Sequence, residues 1–197
     1  SAVSVHTIQG SYSGAISWAQ NCESNVSYHY VARSFDGQIT QMLYEADKGW
    51  HVGSENPYTI GIEHEGYVDN PAWYTDAMYT SSADLVRDIT ESGYGINPLR
   101  TFQGPATAGI NVLGSCIRIK GHQHYPGGTH TDPGINWNWE YYYQLINDPA
   151  DVITYTASGG NMYDSGGAGG DYADDERQLY LIEPTGAVNV ILTINAF

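Results

Sequence analysis

The sequence is poor in basic residues. It contains 7 Lys and Arg against 22 Asp and Glu, which gives a formal net charge of −15 at pH 7. Proteins that bind nucleic acid electrostatically present a basic face, and the few scattered cations of this chain cannot form one. We therefore expect no nucleic-acid partner.

Long apolar runs and cysteines are also scarce. No apolar run approaches the roughly 18 residues that a membrane-spanning helix requires, so we expect no membrane span. No charged and apolar leader opens the chain, and Ser1 is compatible with a signal peptide that has been removed. The two cysteines, Cys22 and Cys116, form no CxxC pair, which argues against a Cys-based metal site. We expect one disulfide between them, with two unrelated thiols as the alternative.

Aromatic residues, by contrast, are abundant, with 17 Tyr and 5 Trp. Aromatic rings with polar tips stack against neutral sugars, and they also fill protein cores. Composition therefore leaves both carbohydrate contact and ordinary packing open.

Strand and helix patterns alternate along the first 147 residues. Period-two alternation, the Asp36-Gly37 turn signal and helical apolar stripes mark the elements, and Ser13 is the predicted N-cap of the first helix. The predicted strands are 2–8, 28–33, 38–44 and 59–65, and the predicted helices are 15–19, 73–91 and 137–146. This order predicts an α/β fold with helices packed on the faces of a central sheet.

The composition changes after Asn147. Residues 148–197 are Gly-rich and then alternate in polarity over 178–182 and 187–197, which is typical of an all-β module. We expect two domains, 1–147 and 148–197. A calcium-binding nonapeptide repeat at 166–171 is an alternative, although such repeats normally work in tandem arrays.

A Gly/Pro-rich loop carries an unusual density of metal-binding side chains. His122, His124, His130 and Asp132 follow a strand end, and two Pro-Gly turns fold the loop back. Catalytic zinc typically takes three protein ligands, commonly two His and one carboxylate. His122 and Asp132 flank the loop, and His6 at the end of the first strand completes the set if the two strands are neighbours.

One acidic residue, Glu63, lies on a strand that is predicted to be central. It faces the side opposite Ile60 and Ile62, and a buried carboxylate is costly unless it has a partner or a chemical role. A zinc-activated water is such a partner, because a nearby carboxylate can accept its proton. An edge-strand Glu that faces solvent is the alternative. A His-Glu-x-x-His zincin site is excluded, because Val68 stands where the second His is required.

Six short motifs follow one another along the first 140 residues. They are Val5-His6-Thr7; Tyr28-His29-Tyr30-Val31 before Asp36-Gly37; Trp50-His51-Val52-Gly53; Ile60-Gly61-Ile62-Glu63-His64-Glu65-Gly66; Lys120-Gly121-His122; and His130-Thr131-Asp132-Pro133-Gly134 before Trp137 and Trp139. Over about residues 3–147 the chain thereby resembles the zinc-dependent N-acetylmuramoyl-L-alanine amidases (type 2), relatives of the peptidoglycan recognition proteins. The resemblance implies an α/β fold with a central mixed β-sheet, and hydrolysis of the amide that joins N-acetylmuramic acid to L-alanine in peptidoglycan.

The resemblance also implies roles for single residues. His6, His122 and Asp132 match the zinc ligands, and Glu63 matches the acid that activates water. His130 stands where many family members have a Lys that stabilises the oxyanion. Tyr28 matches a zinc-proximal tyrosine of some members and is expected to be secondary.

The expected protein is therefore a secreted or periplasmic, monomeric zinc amidase that acts on peptidoglycan. A non-catalytic peptidoglycan-binding recognition protein is the alternative, in which the same cleft holds the muropeptide without cutting it. Residues 148–197 resemble the first strands of a CUB-like module, which implies a short partial β-sandwich segment.

Overall fold

The structure, a computed structural model, describes residues 1–98 and 104–147, together with the backbone of Val152–Tyr155 and Leu179–Ile182. The chain divides into two units, Ser1–Ile146 and Asn147–Phe197. The elements of the first unit are β1 (Ala2–Thr7), α1 (Tyr12–Ala19), β2 (Tyr30–Ala32), β3 (Ile39–Gln41), β4 (Thr59–His64), α2 (Asp76–Glu91), β5 (Ile119–Gly121) and α3 (Trp139–Ile146).

The five strands form one sheet in the order β3-β2-β4-β1-β5. β1 pairs in parallel with both β4 and β5, β2 pairs in parallel with β4, and β3 is antiparallel to β2. The sheet is therefore mixed and flanked by helices, which confirms the predicted fold class. Because β1 lies between β4 and β5, the strand that carries His6 is a direct neighbour of the strand that leads into His122.

The two faces of the sheet have different roles. Val3, Val5, Ile60 and Ile62 pack with apolar residues of α2 and α3 in the main core. A smaller cluster, which contains residues of α1 and β2, packs Tyr12, Ala15, Tyr28 and Val31 together. Side chains alternate between the faces of a strand, so His6 and Glu63 project away from the main core.

Period-two alternation is typical of a half-buried strand, but β1 is buried on both faces. All six residues of the strand are buried. The physical reason is its central position, since the main core covers one face and the site described below covers the other.

The helices α1 and α2 begin at other residues than the sequence predicts. The N-cap of α1 is Ser11 rather than Ser13, and its hydroxyl accepts the N–H of Gly14 at 3.2 Å. α2 begins at Asp76 rather than at Trp73, because a separate 3-10 turn (Pro71–Trp73) comes first and Thr75 caps the helix. Gly93, with φ of 84°, follows the end of α2 and has the left-handed backbone that commonly terminates a helix.

The second unit contains one described strand pair. β6 (Val152–Tyr155) and β7 (Leu179–Ile182) are parallel, and Val152 pairs with Leu179. The predicted strand at 178–182 is present as β7, whereas β6 was not predicted. The calcium-repeat alternative at 166–171 and the predicted strand at 187–197 lie outside the described residues. The partial β-sandwich stays a prediction.

The predicted disulfide is absent from the structure. Cys22 and Cys116 are both exposed free thiols. The loop with Cys22 leads into β2 and the loop with Cys116 leads into β5, and β4 and β1 lie between these two strands. The two cysteines therefore lie in loops that lead into strands that are not neighbours in the sheet.

No helix within the described residues has the length and apolar character needed to cross a bilayer.

Candidate metal centre

Three predicted ligands meet at one point on the face of the sheet opposite the main core. His6 Nδ1 lies 3.1 Å from His122 Nδ1 and 3.2 Å from Asp132 Oδ2, and His122 Nδ1 lies 3.4 Å from Asp132 Oδ1. All three residues are buried, and among the described residues they form the one group of three His, Cys, Asp or Glu residues that could hold a metal ion.

The neighbouring strands explain why two of these residues meet. His6 lies in β1, and His122 directly follows the last residue of β5. β1 and β5 pair in parallel with Val5 opposite Gly121, so His6 and His122 lie next to each other at the same end of the two strands. The condition that the sequence left open, that these strands are neighbours, is therefore met.

Asp132 is brought back to the strands by its loop. The Thr7 N–H donates to Asp132 Oδ2 at 3.3 Å, and the Gln123 N–H donates to the backbone carbonyl of Asp132 at 2.9 Å. A Cβ at Gly121 would lie 2.3 Å from Pro133 Cδ, so only glycine lets the loop pack this closely against the end of β5.

Two further residues, which the sequence analysis did not single out, hold the same loop. Buried Gln123 accepts the Gly134 N–H through Oε1 at 3.1 Å and donates to the carbonyl of Gly109 at 2.6 Å. The Tyr74 hydroxyl donates to the Pro133 carbonyl at 2.8 Å and lies 3.0 Å from Thr7 Oγ1. No sequence motif marks these residues, because their partners are distant in sequence.

The electrostatics of the three residues suit a cation. Burial lowers the pKa of His6, despite the opposing hydrogen bond and charge of Asp132, which favours the neutral ring. Burial alone would raise the pKa of Asp132, but the hydrogen bonds with His122 and His6 outweigh it and hold this pKa below its usual range. Neutral imidazole and ionised carboxylate are the forms that bind metals.

The spacing of these atoms fits zinc. In a tetrahedral zinc site with bonds of about 2.0–2.1 Å, neighbouring ligand atoms lie about 3.3–3.4 Å apart. The three separations of 3.1, 3.2 and 3.4 Å are close to this value. Two imidazole nitrogens and a carboxylate that face each other in a buried site also require a proton or a cation between them.

Glu63 lies beside this set without belonging to it. β1 and β4 place Glu63 opposite His6, and Glu63 Oε1 lies 4.0 Å from His6 Nδ1. The side chain is 14% exposed, and Oε2 is buried with no hydrogen-bond partner among the described residues. Burial, and then the charge of Asp132, raises the pKa of Glu63 well above its usual range. An unpaired buried carboxyl oxygen next to a candidate metal centre is suited to proton transfer.

His130 lies at the mouth of the site. Its side chain is 66% exposed, and its ring stacks on the ring of His122 with centroids 4.3 Å apart and planes 9° apart. Its Nδ1 is 3.8 Å from Asp132 Oδ1. The structure therefore brings His130 next to two of the predicted ligands.

Tyr28 bonds to α1 but also feels the charge of Glu63, since burial and then this charge raise the pKa of Tyr28. It is 5% exposed, and its hydroxyl donates to the Ala15 carbonyl of α1 at 2.6 Å. This hydrogen bond connects the segment before β2 to α1.

Two histidines outside the ligand set bond to backbone groups. His64 Nδ1 bonds to the His6 carbonyl at 2.9 Å, and His124 Nδ1 accepts the Gly121 N–H at 3.0 Å.

The fold and the site together define an α/β protein with a candidate mononuclear His/His/Asp metal centre and an adjacent carboxyl group. Residues 1–135 match the Amidase_2 family model, described as N-acetylmuramoyl-L-alanine amidase. The chain belongs to this family of amidases.

Curated relatives agree with this assignment. N-acetylmuramoyl-L-alanine amidase A of Achromobacter lyticus is 42% identical over 148 residues, which are 75% of this chain and 83% of that protein. The 1,6-anhydro-N-acetylmuramyl-L-alanine amidase AmpD of Haemophilus influenzae is 29% identical over 137 residues, 66% of this chain and 63% of that protein.

Solved structures share the fold at lower identity. The amidase AmiD from E. coli, in complex with anhydro-N-acetylmuramic acid-L-Ala-D-gamma-Glu-L-Lys, has a TM-score of 0.55 at 19% identity, over 73% of this chain and 56% of that one. The N-acetylmuramoyl-L-alanine amidase LysC of Clostridium intestinale has a TM-score of 0.54 at 20% identity, over 74% and 83% of the two chains. At these identities the likeness concerns the fold.

Proposed function

We propose that the chain hydrolyses the amide bond between N-acetylmuramic acid and L-alanine of peptidoglycan, with zinc held by His6, His122 and Asp132. The observation that carries the proposal is the convergence of these three buried residues beside the unpaired Oε2 of Glu63. Membership in the amidase family and the printed activities of its relatives support the choice of substrate.

Zinc in such a site supplies a Lewis acid that polarises the scissile carbonyl and acidifies water. The side chains supply the proton transfers. Glu63 takes a proton from the attacking water as the new C–O bond forms, and it returns this proton to the amide nitrogen as the C–N bond breaks. The products are the carboxylate of the muramic acid lactyl group and a stem peptide with a free L-alanine amine.

His130 is proposed to stabilise the oxyanion of the tetrahedral intermediate. Its exposed ring at the mouth of the site supports this role, because the substrate carbonyl must approach from the open side. The stacking of His130 on His122 holds the ring beside the place where negative charge develops.

Removing the His130 side chain is expected to lower turnover and to leave zinc binding unchanged. In His130→Ala, zinc content should stay at the wild-type level while kcat falls on the order of 10²-fold, a common cost of losing one oxyanion donor. His130→Lys should retain most of the activity, because lysine also supplies a donor. Thr129→Ala, which changes an exposed neighbour in the same loop, is the control. A wild-type rate in His130→Ala would show that His130 only lines the loop.

The proposed reaction is tested directly on the polymer. The purified chain is incubated with zinc and peptidoglycan, and the soluble products are analysed by mass spectrometry. We expect free stem peptides that begin with L-alanine and glycan strands with unsubstituted lactyl carboxylates. Binding to peptidoglycan with all muramoyl-alanine bonds intact would instead support the alternative, a non-catalytic recognition protein.

The proposal extends to the organisation and location of the protein. Residues 1–147 are proposed as the catalytic domain, because the whole candidate site lies within the unit Ser1–Ile146. Residues 148–197 are proposed as a linker and a CUB-like β segment. Since peptidoglycan lies outside the cytoplasmic membrane, we propose a secreted or periplasmic protein, which acts as a monomer.

A further inference from the structure

His6 has a second ring nitrogen, which points away from the candidate metal centre. His6 Nε2 lies 3.0 Å from His51 Nδ1 and 2.8 Å from Ser4 Oγ. A histidine that binds a metal through Nδ1 carries its proton on Nε2, so Nε2 must donate a hydrogen bond to one of these atoms. The partner of Nε2 thus decides whether Nδ1 presents a lone pair to the metal.

A directed chain of hydrogen bonds sets the proton position on His51. The Thr59 hydroxyl donates its hydrogen to the carbonyl of Glu55 at 3.0 Å. Thr59 Oγ1 can then only accept from His51 Nε2, which lies 3.4 Å away. With its proton on Nε2, the neutral His51 ring has a free lone pair on Nδ1, and this nitrogen accepts from His6 Nε2 alongside Ser4 Oγ.

Two glycines make room for the His51 ring. A Cβ at Gly61, on the strand that neighbours β1, would lie 2.6 Å from His51 Nδ1. A Cβ at Gly49 would lie 2.7 Å from His51 Cδ2. The ring is also anchored through its own backbone, since the His51 N–H donates to Asn56 Oδ1 at 3.0 Å. Its orientation toward His6 is therefore imposed from several sides.

We propose that His51 is a positioning residue that holds His6 in the tautomer that binds the metal. In this series of hydrogen bonds, His6 Nε2 donates to His51 Nδ1, and His51 Nε2 donates to Thr59 Oγ1. His6 Nδ1 therefore carries no proton, and its lone pair is directed at His122 and Asp132. The inference rests on the proposed zinc site, and it assigns a role to a histidine that lies outside the ligand set.

The test measures zinc affinity of the full chain by competition with a chromophoric chelator. His51→Phe keeps the ring but removes the acceptor, and we expect a loss of affinity of about 10- to 100-fold, the usual effect of removing an outer partner of a metal ligand. His51→Asn returns an oxygen acceptor near the position of Nδ1 and should recover most of the affinity. The absorption spectrum of the Co²⁺-loaded protein should change in His51→Phe and return toward wild type in His51→Asn.

Thr59→Val provides a variant that leaves the metal ligands and His51 themselves unchanged. It preserves the side-chain shape and removes the hydroxyl acceptor of His51 Nε2, while the Thr59 backbone still accepts from the His51 ring, so zinc affinity should fall in the same direction by a smaller factor. Thr40→Val is the matched control, because Thr40 Oγ1 bonds to the Tyr12 hydroxyl, remote from the candidate centre. Thermal unfolding of each variant establishes that the measured protein is folded.

The outcomes separate this inference from the proposed function. If wild-type protein binds no zinc, the proposed function fails and the inference fails with it. If wild-type protein binds zinc and His51→Phe binds it equally well, only the inference is overturned. An affinity in His51→Asn as low as in His51→Phe would also overturn it, because ring packing alone would then explain the loss. Should His51→Phe not fold, an unchanged affinity in Thr59→Val would decide against the inference.

Discussion

Asp132→Ala is expected to abolish zinc binding while leaving the chain folded. The substitution removes the one carboxylate of the proposed ligand set and leaves two neutral imidazoles, His6 and His122, with nitrogens 3.1 Å apart. Loss of an outer partner of a ligand already costs about 10–100-fold in metal affinity, so loss of a ligand should cost more than about 100-fold. Elemental analysis of protein purified without chelator should find about one zinc per wild-type chain, as three-residue catalytic sites hold a single ion.

Thermal unfolding gives a second measurement of the same effect. Zinc at 100 times its Kd stabilises the wild-type chain by about 2.7 kcal/mol, which raises Tm by roughly 5–10 °C for a protein of this size. Asp132→Ala should show no such rise. Asp69→Ala, which removes an exposed carboxylate after β4, is the control and should respond to zinc as wild type does. Full zinc content in Asp132→Ala would contradict the proposed ligand set.

Glu63→Ala is expected to keep its zinc and lose most of its turnover. Glu63 is outside the group of three residues whose ligand atoms converge, its Oε1 is 4.0 Å from His6 Nδ1, and its Oε2 has no partner among the described residues. Loss of a general base typically lowers the rate by about 10²- to 10⁴-fold. The rate of stem-peptide release and the zinc content, measured on the same sample, test both parts of this expectation.

A nearby glutamate on the same stretch of chain provides the matched control for Glu63. Glu65 accepts the Tyr12 N–H through Oε1 at 2.8 Å and the Ser34 N–H through Oε2 at 2.9 Å. Glu65→Gln should therefore lower thermal stability and leave the rate per folded molecule close to wild type. If Glu63→Ala loses zinc as Asp132→Ala does, Glu63 is a ligand or a structural support and the proposed proton transfer has no base.

The proposed site residues illustrate what local sequence can predict. His122 and Asp132 lie close in the chain and flank turn signals, so their approach follows from loop geometry. His6 is distant in sequence, and its place in the set depended on the order of strands in the sheet. The family resemblance named the same residues. The contribution of Gln123, Tyr74 and Thr7 to holding Asp132 was not predicted, because each acts through a hydrogen bond that only the folded chain creates.

The start of α1 shows the same limit at the level of local structure. Ser11 and Ser13 are both acceptable N-caps by residue type. The Glu65 carboxylate, which accepts the Tyr12 N–H, lies at the end of another strand and favours the earlier start. The disulfide prediction failed for a related reason, since the cysteine count carries no information about which strands the two loops lead into.

By itself, the sequence determined the class of the fold, the alternation of strands and helices, and the residue types that a His/His/Asp centre needs. These properties follow from local periodicity, turn chemistry and motifs, all of which act over short stretches of chain. Only the tertiary structure decided that β1 lies between β4 and β5, that Glu63 is opposite His6, and that His51 contacts the second ring nitrogen of His6. The physical reason is that packing of the whole sheet sets the strand order and the long-range hydrogen bonds. The sequence of a short segment carries no information about that packing.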